Sequence, residues 1–315
     1  MGTAVGRRSG TLLLIIASAI WGCWSTGEKY ALRGLPVMTM LGVTLAAAAA
    51  LLWAVLLAKG HRRPTGRQLR TMALLGLLEP MIGYGAIGLG LTSIEAAQAA
   101  LLSGTESCFV VALSALAARR LPTLRGVAGV LIATGGVAAL GGAHPGARLA
   151  AGDLLVLLGS LSAAGSSVLA GRIVSNVEPL VVTAYQFAFG LVFTLPLVLW
   201  QWTSGAGIAT PDARPGHWFV AAVVCGGGLA IAFLLFNHAI ARIPVTVAGV
   251  VLNVIPLFGL ATAMLALGEG VDRRQFLGAA LILGGIFLFS ERDLDETPPP
   301  GPGGPGRAAA VGDQR

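Results

Sequence analysis

The stretch LLSGTESCFVV, residues 101–111, sets one carboxylate, Glu106, inside an oily run. No Lys or Arg occurs between Thr71 and Ala118, so nothing near it in sequence can neutralise it. How the chain accommodates Glu106 depends on the solvent in which it folds, and composition identifies that solvent. Of the 315 residues, 55% are hydrophobic and 11% charged. An ordinary soluble domain carries about 25% charged residues. So few charges cannot cover a water-facing surface of this size. Apolar stretches of the ~20 residues that span a bilayer recur from end to end. The chain reads as an all-α, polytopic membrane protein.

Ten spans separate along the sequence: residues 11–30, 37–58, 71–91, 96–117, 124–142, 153–172, 180–202, 217–240, 245–267 and 275–290. Polar or Gly/Pro-rich joints divide them, such as Lys59 to Arg70 and Thr203 to Gly216. Residues 1–10 precede the first span. Residues 291–315, with Thr-Pro-Pro-Pro-Gly-Pro and no core-forming pattern, read as a disordered tail. Ala17-Ser18-Ala19 looks like a signal-peptidase site, but Trp21 is bulky where such sites want a small residue, so this segment is expected to remain the first helix. With a cytoplasmic N-terminus, 15 of the 21 Lys and Arg fall inside and 6 outside. Basic residues mark the inner face, which places both termini in the cytoplasm and the chain in the plasma membrane. These short basic loops also account for the net charge of +7. No aromatic-studded basic face accompanies it, and nucleic acid is not an expected partner.

The spans carry a repeat. A shift of 149 residues brings Gly129, Gly135 and Gly136 onto Gly278, Gly284 and Gly285, and Ala99, Leu116 and Arg125 onto Ala248, Leu265 and Arg274. A shift of 143 matches Gly22 with Gly165 and Lys29 with Arg172. Five spans per unit is an odd number, so the second unit enters from the opposite side. Inverted units of this kind enclose a site at mid-depth and exchange an inward-open for an outward-open cavity.

At this point the sequence resembles the EamA-type permeases of the drug/metabolite transporter superfamily, from Trp21-Gly22 to Phe289. The first half carries Gly83-Tyr84 through Ile94, then Thr105-Glu106-Ser107, with Ser107 where the family usually has Pro. The second half carries Ala239-Ile240 to Pro244, Val254-Ile255-Pro256, Leu265-Ala266-Leu267-Gly268-Glu269 and Gly278 to Gly285. Lys29 fits the family's basic residue after the first-span Trp-Gly. One departure stands out: the fourth span ends in Ala118-Arg119-Arg120 where the family has Gly-Glu. The resemblance implies ten transmembrane helices, arranged as two inverted five-helix repeats (11–142 and 153–290) around a central cavity. It also implies export of an amino acid, metabolite or toxic compound.

Candidate site residues follow from cost. An acid left in lipid at mid-span costs ~2.5–3.5 kcal/mol on insertion scales, so Glu106 should face the bundle interior. Ser103, three residues back, would share its face on an unbroken helix. Glu106 either meets substrate and protons there or bonds a neighbouring helix. Glu79 precedes Pro80, which cannot donate a backbone hydrogen bond; the pair is a hinge or pathway candidate, or else Glu79 reaches interfacial water. Pro256, with Asn253 one turn before it, suggests a broken helix at a site. Trp21, Trp24 and Tyr84 would line an apolar pocket, unless they are packing residues or, for Trp24, part of an interfacial belt. Cys225-Gly226-Gly227-Gly228 suggests a flexible point at Gly227. Lys29 and Arg172 read as snorkelling to headgroups, with a Lys29–Glu95 gate pair as the alternative. His238 and Asn237 read as satisfied groups near a span end.

Other function classes lack their residues. The six Asp lie at span edges or outside, and His61, His144, His217 and His238 are dispersed, so no intramembrane protease site forms and no enzyme is expected. Gly83-Tyr84-Gly85-Ala86-Ile87-Gly88 fits a dinucleotide pattern but has no strand before it. Cys23, Cys108 and Cys225 are far apart and read as packing residues. No cofactor or metal is expected. The expected partners are the lipid bilayer, a small-molecule substrate, protons through Glu106 and, as an option, a second copy in a homodimer. A membrane sensor or channel is the alternative reading, although no polar filter or charge ring is visible.

Overall fold

The apolar runs fold into helices because a backbone in lipid must satisfy its own hydrogen bonds. The computed structural model describes residues 2–61, 63–117, 149–243, 251–268 and 272–287, with isolated positions at 124, 128–129, 131–132, 135–136, 245, 248 and 270. Its helices are α1 Gly2–Ala31, α2 Val37–Lys59, α3 Gly66–Gly76, α4 Gly83–Leu91, α5 Ala96–Ser103 and α6 Glu106–Ala117 in the first half. The second half has α7 Ala151–Ile173, α8 Pro179–Thr203, α9 Pro215–Phe219, α10 Gly228–Ile240, α11 Ile255–Thr262 and α12 Arg273–Phe287. A wide π turn, Leu77–Ile82, joins α3 to α4, and a second, Val220–Gly227, joins α9 to α10.

Among the described residues, seven helical stretches are long and apolar enough to cross a membrane: Ser9–Ala31, Val37–Lys59, Gly66–Leu91, Gln98–Ala117, Ala151–Ile173, Pro179–Thr203 and Pro215–Ile240. The protein is a multi-pass membrane protein. Each stretch matches an expected span, and the ends differ by at most five residues. That largest difference has a local cause. Thr65 caps α3: its hydroxyl accepts from the Gln68 N–H at 3.4 Å while the Gln68 side chain accepts from the Thr65 N–H at 2.8 Å. This reciprocal capping box starts the helix inside the basic loop, before the apolar run begins. The expected fifth span, 124–142, and the tail, 291–315, lie largely or wholly outside the described residues. Of the ninth and tenth spans, the described part holds the short apolar helix Leu257–Leu267 and α12.

The two halves intercalate. Helix α1 packs on α10 and α11, α2 on α8 and on the Val220–Gly227 turn, α3 on α8, α4 and α6 on α7, and α5 on α11. Small residues allow these approaches, as in other membrane bundles. A Cβ on Gly22 would stand 2.7 Å from the Ile255 carbonyl oxygen and 2.8 Å from the Gly259 nitrogen. One on Gly76 would stand 2.5 Å from the Gln186 carbonyl oxygen. Large apolar side chains such as Leu57, Leu199, Trp200 and Phe219 face outward, while Glu28, Thr183, Gln186 and Asn237 are buried. Polar groups inside and oil outside is the distribution that lipid solvent imposes.

Candidate functional site

The site begins where the third span breaks. Pro80 brings no N–H, and Glu79 takes an extended backbone (φ −153°, ψ 119°) inside an otherwise helical run. Carbonyls freed at such a break need donors from elsewhere. Ser162 of α7 donates to the Leu78 carbonyl at 2.7 Å, and the Gln186 amide of α8 donates to the Glu79 carbonyl at 2.7 Å. The Leu78 carbonyl also accepts the Gly83 N–H, so second-half side chains add to the first-half backbone at its break. Glu79 itself is 9% exposed and sits within the bundle. The alternative in which it reaches interfacial water does not hold, because the break turns its side chain toward Tyr84, whose hydroxyl it hydrogen-bonds.

The fourth span breaks as well. Helix α5 ends in a tight turn at Gly104 and Thr105, and Glu106 opens α6. The Ser103 hydroxyl bonds back to the Ala99 carbonyl at 2.9 Å, so it is not the partner that an unbroken helix would supply. Ser167 of α7 hydrogen-bonds the half-buried Glu106 carboxyl instead. Glu106 and Glu79 lie close enough to interact electrostatically, and Tyr84 faces both.

Aromatic rings close around this pair. Trp24 and Tyr84 meet edge-on with ring centroids 4.4 Å apart, and Tyr84 reaches Phe233 at 6.2 Å. Trp21 packs edge-on against Phe233 at 5.3 Å and Phe236 at 5.5 Å. Trp24 is thus buried in the bundle and not in an interfacial belt. Glu106, Glu79, Pro80, Tyr84, Trp21 and Trp24 converge, then, from three spans. The remaining candidates belong to the second half, on elements that pack against α1. Pro256 occupies the first turn of α11, where its missing N–H is tolerated, and Asn253 lies in the short 3₁₀ turn Leu252–Val254 before it. The side chains of Asn253 and Pro256 are outside the described residues. Gly227 ends the second π turn, and a Cβ there would meet nothing within 4 Å.

Sequence reasoning passed over Glu28. It is 1% exposed, and it faces Tyr84 and Cys225. Its Oε1 fits against Gly88, where a Cβ would come within 2.8 Å. A signal was there to read: Trp21, Trp24, Ser25 and Glu28 recur at i, i+3, i+4 and i+7, one face of a helix. The neighbouring Lys29 made the position look interfacial. In the structure the Lys29 ammonium donates to the Leu91 and Ile94 carbonyls at the end of α4. Two further polar groups continue the file toward the other end: Gln186, and Asn237, which donates to Thr183 at 2.9 Å. Cys108 and Cys225 are buried free thiols and Cys23 an exposed one.

The ends of the bundle differ. Between the α2–α3 loop and the α7–α8 turn lies a cavity of about 600 Å³, lined by His61, Arg63, Gln68, Asn176, Glu178 and Val181 among others. It lies away from the acids, but α8 leads from Val181 on its wall to Thr183 and Gln186. At the opposite end the chain is tied. The Thr210 N–H donates to the Gly34 carbonyl at 3.0 Å, His217 packs on Gly34, and Trp202 donates to Thr39 at 2.8 Å.

A model of the EamA-like transporter family matches residues 8–142 and again residues 150–291. The chain belongs to that family. An uncharacterized transporter of Archaeoglobus fulgidus is 23% identical over 286 residues, covering 89% of this chain and 97% of that one. A probable terminal-alkyne amino-acid exporter of Streptantibioticus cattleyicolor is 28% identical over 85% of this chain and 86% of its own length. The uncharacterized inner membrane transporter YedA of Escherichia coli K12 is 26% identical, over 86% and 87%. A solved crystal structure superposes with a TM-score of 0.66 at 20% identity, covering 90% of this chain and 98% of the other, which speaks for the fold alone. As an EamA-like protein the chain is a membrane transporter of small molecules and not an enzyme.

Proposed function

We propose that this EamA-like protein is a secondary exporter that moves a small amino acid, amphipathic metabolite or drug-like compound by alternating access, with Glu106 linking transport to protons. The observation that carries the reading is the acid and aromatic cluster of Glu106, Glu79, Tyr84, Trp21 and Trp24 on the seam between the halves, with a cavity at one end and a tied loop at the other. Few fixed cations face it, which argues against polyanions such as sugar phosphates.

Two inverted halves fit the packing. If spans one to five correspond to six to ten, span one on span eight should be mirrored by span six on span three. Helix α1 on α10 and α7 on α4 are such a pair. Likewise α2 on the Val220–Gly227 turn is answered by α8 on α3. The twofold family match supports the same division. With both termini cytoplasmic, the cavity end faces the cytoplasm, where an exporter loads.

Two measurements test this. Cells with and without the gene are screened against metabolites and toxins for efflux and resistance; no difference across the screen would end the exporter reading. For a compound so found, Glu106→Gln is compared with the parent in proteoliposomes under a pH gradient. Proton-driven accumulation should vanish while exchange of substrate persists. Equal proton-linked rates in both would remove Glu106 from coupling.

A further inference from the structure

Three acids come together around Tyr84: Glu28 from α1, Glu79 from the third span and Glu106 from α6. Tyr84 faces all three. Among the described residues none of these carboxyls forms an ion pair with a Lys, Arg or His: Glu106 meets Ser167, Glu79 meets Tyr84, and Glu28 interacts with Tyr84 and Cys225. The Lys29 ammonium, next in sequence to Glu28, donates to the Leu91 and Ile94 carbonyls. An acid cluster alone says little about a ligand, but unsatisfied buried atoms surround it: acceptors on Glu28, Gln186 and Asn237, and the indole N–H donors of Trp21 and Trp24. Glu28 Oε2, Gln186 Oε1 and Asn237 Oδ1 are buried acceptors without a donor, on residues each 1% exposed. Buried polar atoms are rarely left so. Gln186 is tied to the cluster, since its amide nitrogen holds the Glu79 carbonyl.

We propose that Glu28 is a binding residue for a positively charged nitrogen, and that the chamber takes organic ammonium compounds with an apolar or aromatic body in preference to anions. This rests on the transporter reading above and names the substrate class for it. An ammonium group brings three N–H donors and the missing charge together. The faces of Trp21, Trp24, Tyr84 and Phe233 attract a cation and accommodate the body that carries it. The buried indole N–H of Trp24, also without an acceptor, can serve a carbonyl or hydroxyl oxygen on the same molecule. Gly88 is what gives Glu28 its place: any side chain there would push Oε1 out of its slot. An anion among these side chains would face carboxyls from three spans with no cation paired to them among the described residues.

The test is a shape-matched set of probes, 2-phenylethylammonium, 2-phenylethanol and phenylacetate, bound to the purified full-length chain in detergent and read by tryptophan fluorescence. The ammonium should bind roughly tenfold more tightly than the alcohol, the weight of one charge-assisted contact, and phenylacetate least well. Glu28→Gln should bring ammonium and alcohol to parity, and Glu28→Asp should keep part of the preference. A second measurement needs no variant. Dicyclohexylcarbodiimide labelling of Glu28 in the parent, read by mass spectrometry, should be blocked by the ammonium and not by phenylacetate. An ammonium that binds no better than the alcohol, or a preference untouched by Glu28→Gln, overturns the proposal. In proteoliposomes, export of neutral or anionic compounds without a cation preference would overturn this inference alone. No export of any screened compound would overturn the transporter reading beneath it.

Discussion

At the scale of single residues, what holds the third span together is not in the third span. Ser162 and Gln186 donate to the Leu78 and Glu79 carbonyls beside the break at Pro80. The Leu78 carbonyl also accepts the Gly83 N–H, so losing Ser162 removes one of its two hydrogen bonds, about 0.5–1.5 kcal/mol. Ser162→Ala, which keeps the packing nearly unchanged, should therefore lower thermal stability in detergent by that order, with the helical content of the folded state intact. An unchanged unfolding midpoint would mean that the Gly83 N–H alone satisfies the Leu78 carbonyl. Sequence showed one side of this arrangement. Glu106 and Glu79 stood out because an acid in an oily run has no cheap place outside the bundle. Ser162, Gln186 and Ser167 did not, since small polar residues are frequent in membrane helices and their partners are fixed only once the halves come together. Glu28 was hidden by Lys29, whose charge made the end of α1 look like a headgroup boundary.

At the scale of elements, length and hydropathy carried most of the information. Seven spans follow from them, because crossing lipid demands a continuous apolar helix and little else. The interruptions were less legible. Pro80 announced its break, but the turn at Gly104 and Thr105 has no proline, and Pro256 stands in the first turn of α11, just after the short 3₁₀ turn Leu252–Val254. Glycines were ambiguous for the same reason: their value depends on what they touch. Gly22 lies against the α11 backbone, and Gly227 against nothing within 4 Å. Gly22→Ala should thus force α1 and α11 apart, with a loss on the order of 1–3 kcal/mol typical of overpacking. Gly227→Ala should leave stability unchanged or slightly raised. Unfolding midpoints of the two variants, measured side by side, check both statements. If Gly227→Ala keeps its stability and loses transport, the second π turn bends during the cycle; if it keeps both, Gly227 is not a hinge.

At the scale of the whole molecule the two ends of the bundle are packed differently, and no reading of composition or periodicity would have said how. The α2–α3 loop and the α7–α8 turn stand apart around a cavity of about 600 Å³. The α1–α2 loop is bound to the segment before α9, with the Thr210 hydroxyl 3.5 Å from the Arg33 carbonyl and its N–H on Gly34. Each of these contacts joins the first half to the second. Alternating access requires that the tied end part while the cavity end closes, and a covalent tie there should stop the cycle. Cysteines at Arg33 and Thr210, in a chain whose exposed Cys23 is replaced by Ser, are close enough to be joined directly or by a short bis-thiol reagent. Joined, they should reduce transport to the level of empty vesicles, and reductant should restore a directly formed disulfide to the parent rate. Probe binding from the cavity end should survive, because the tie lies at the opposite end. Full transport by the cross-linked chain would show that the tied end never needs to open, and the alternating-access reading would fail with it.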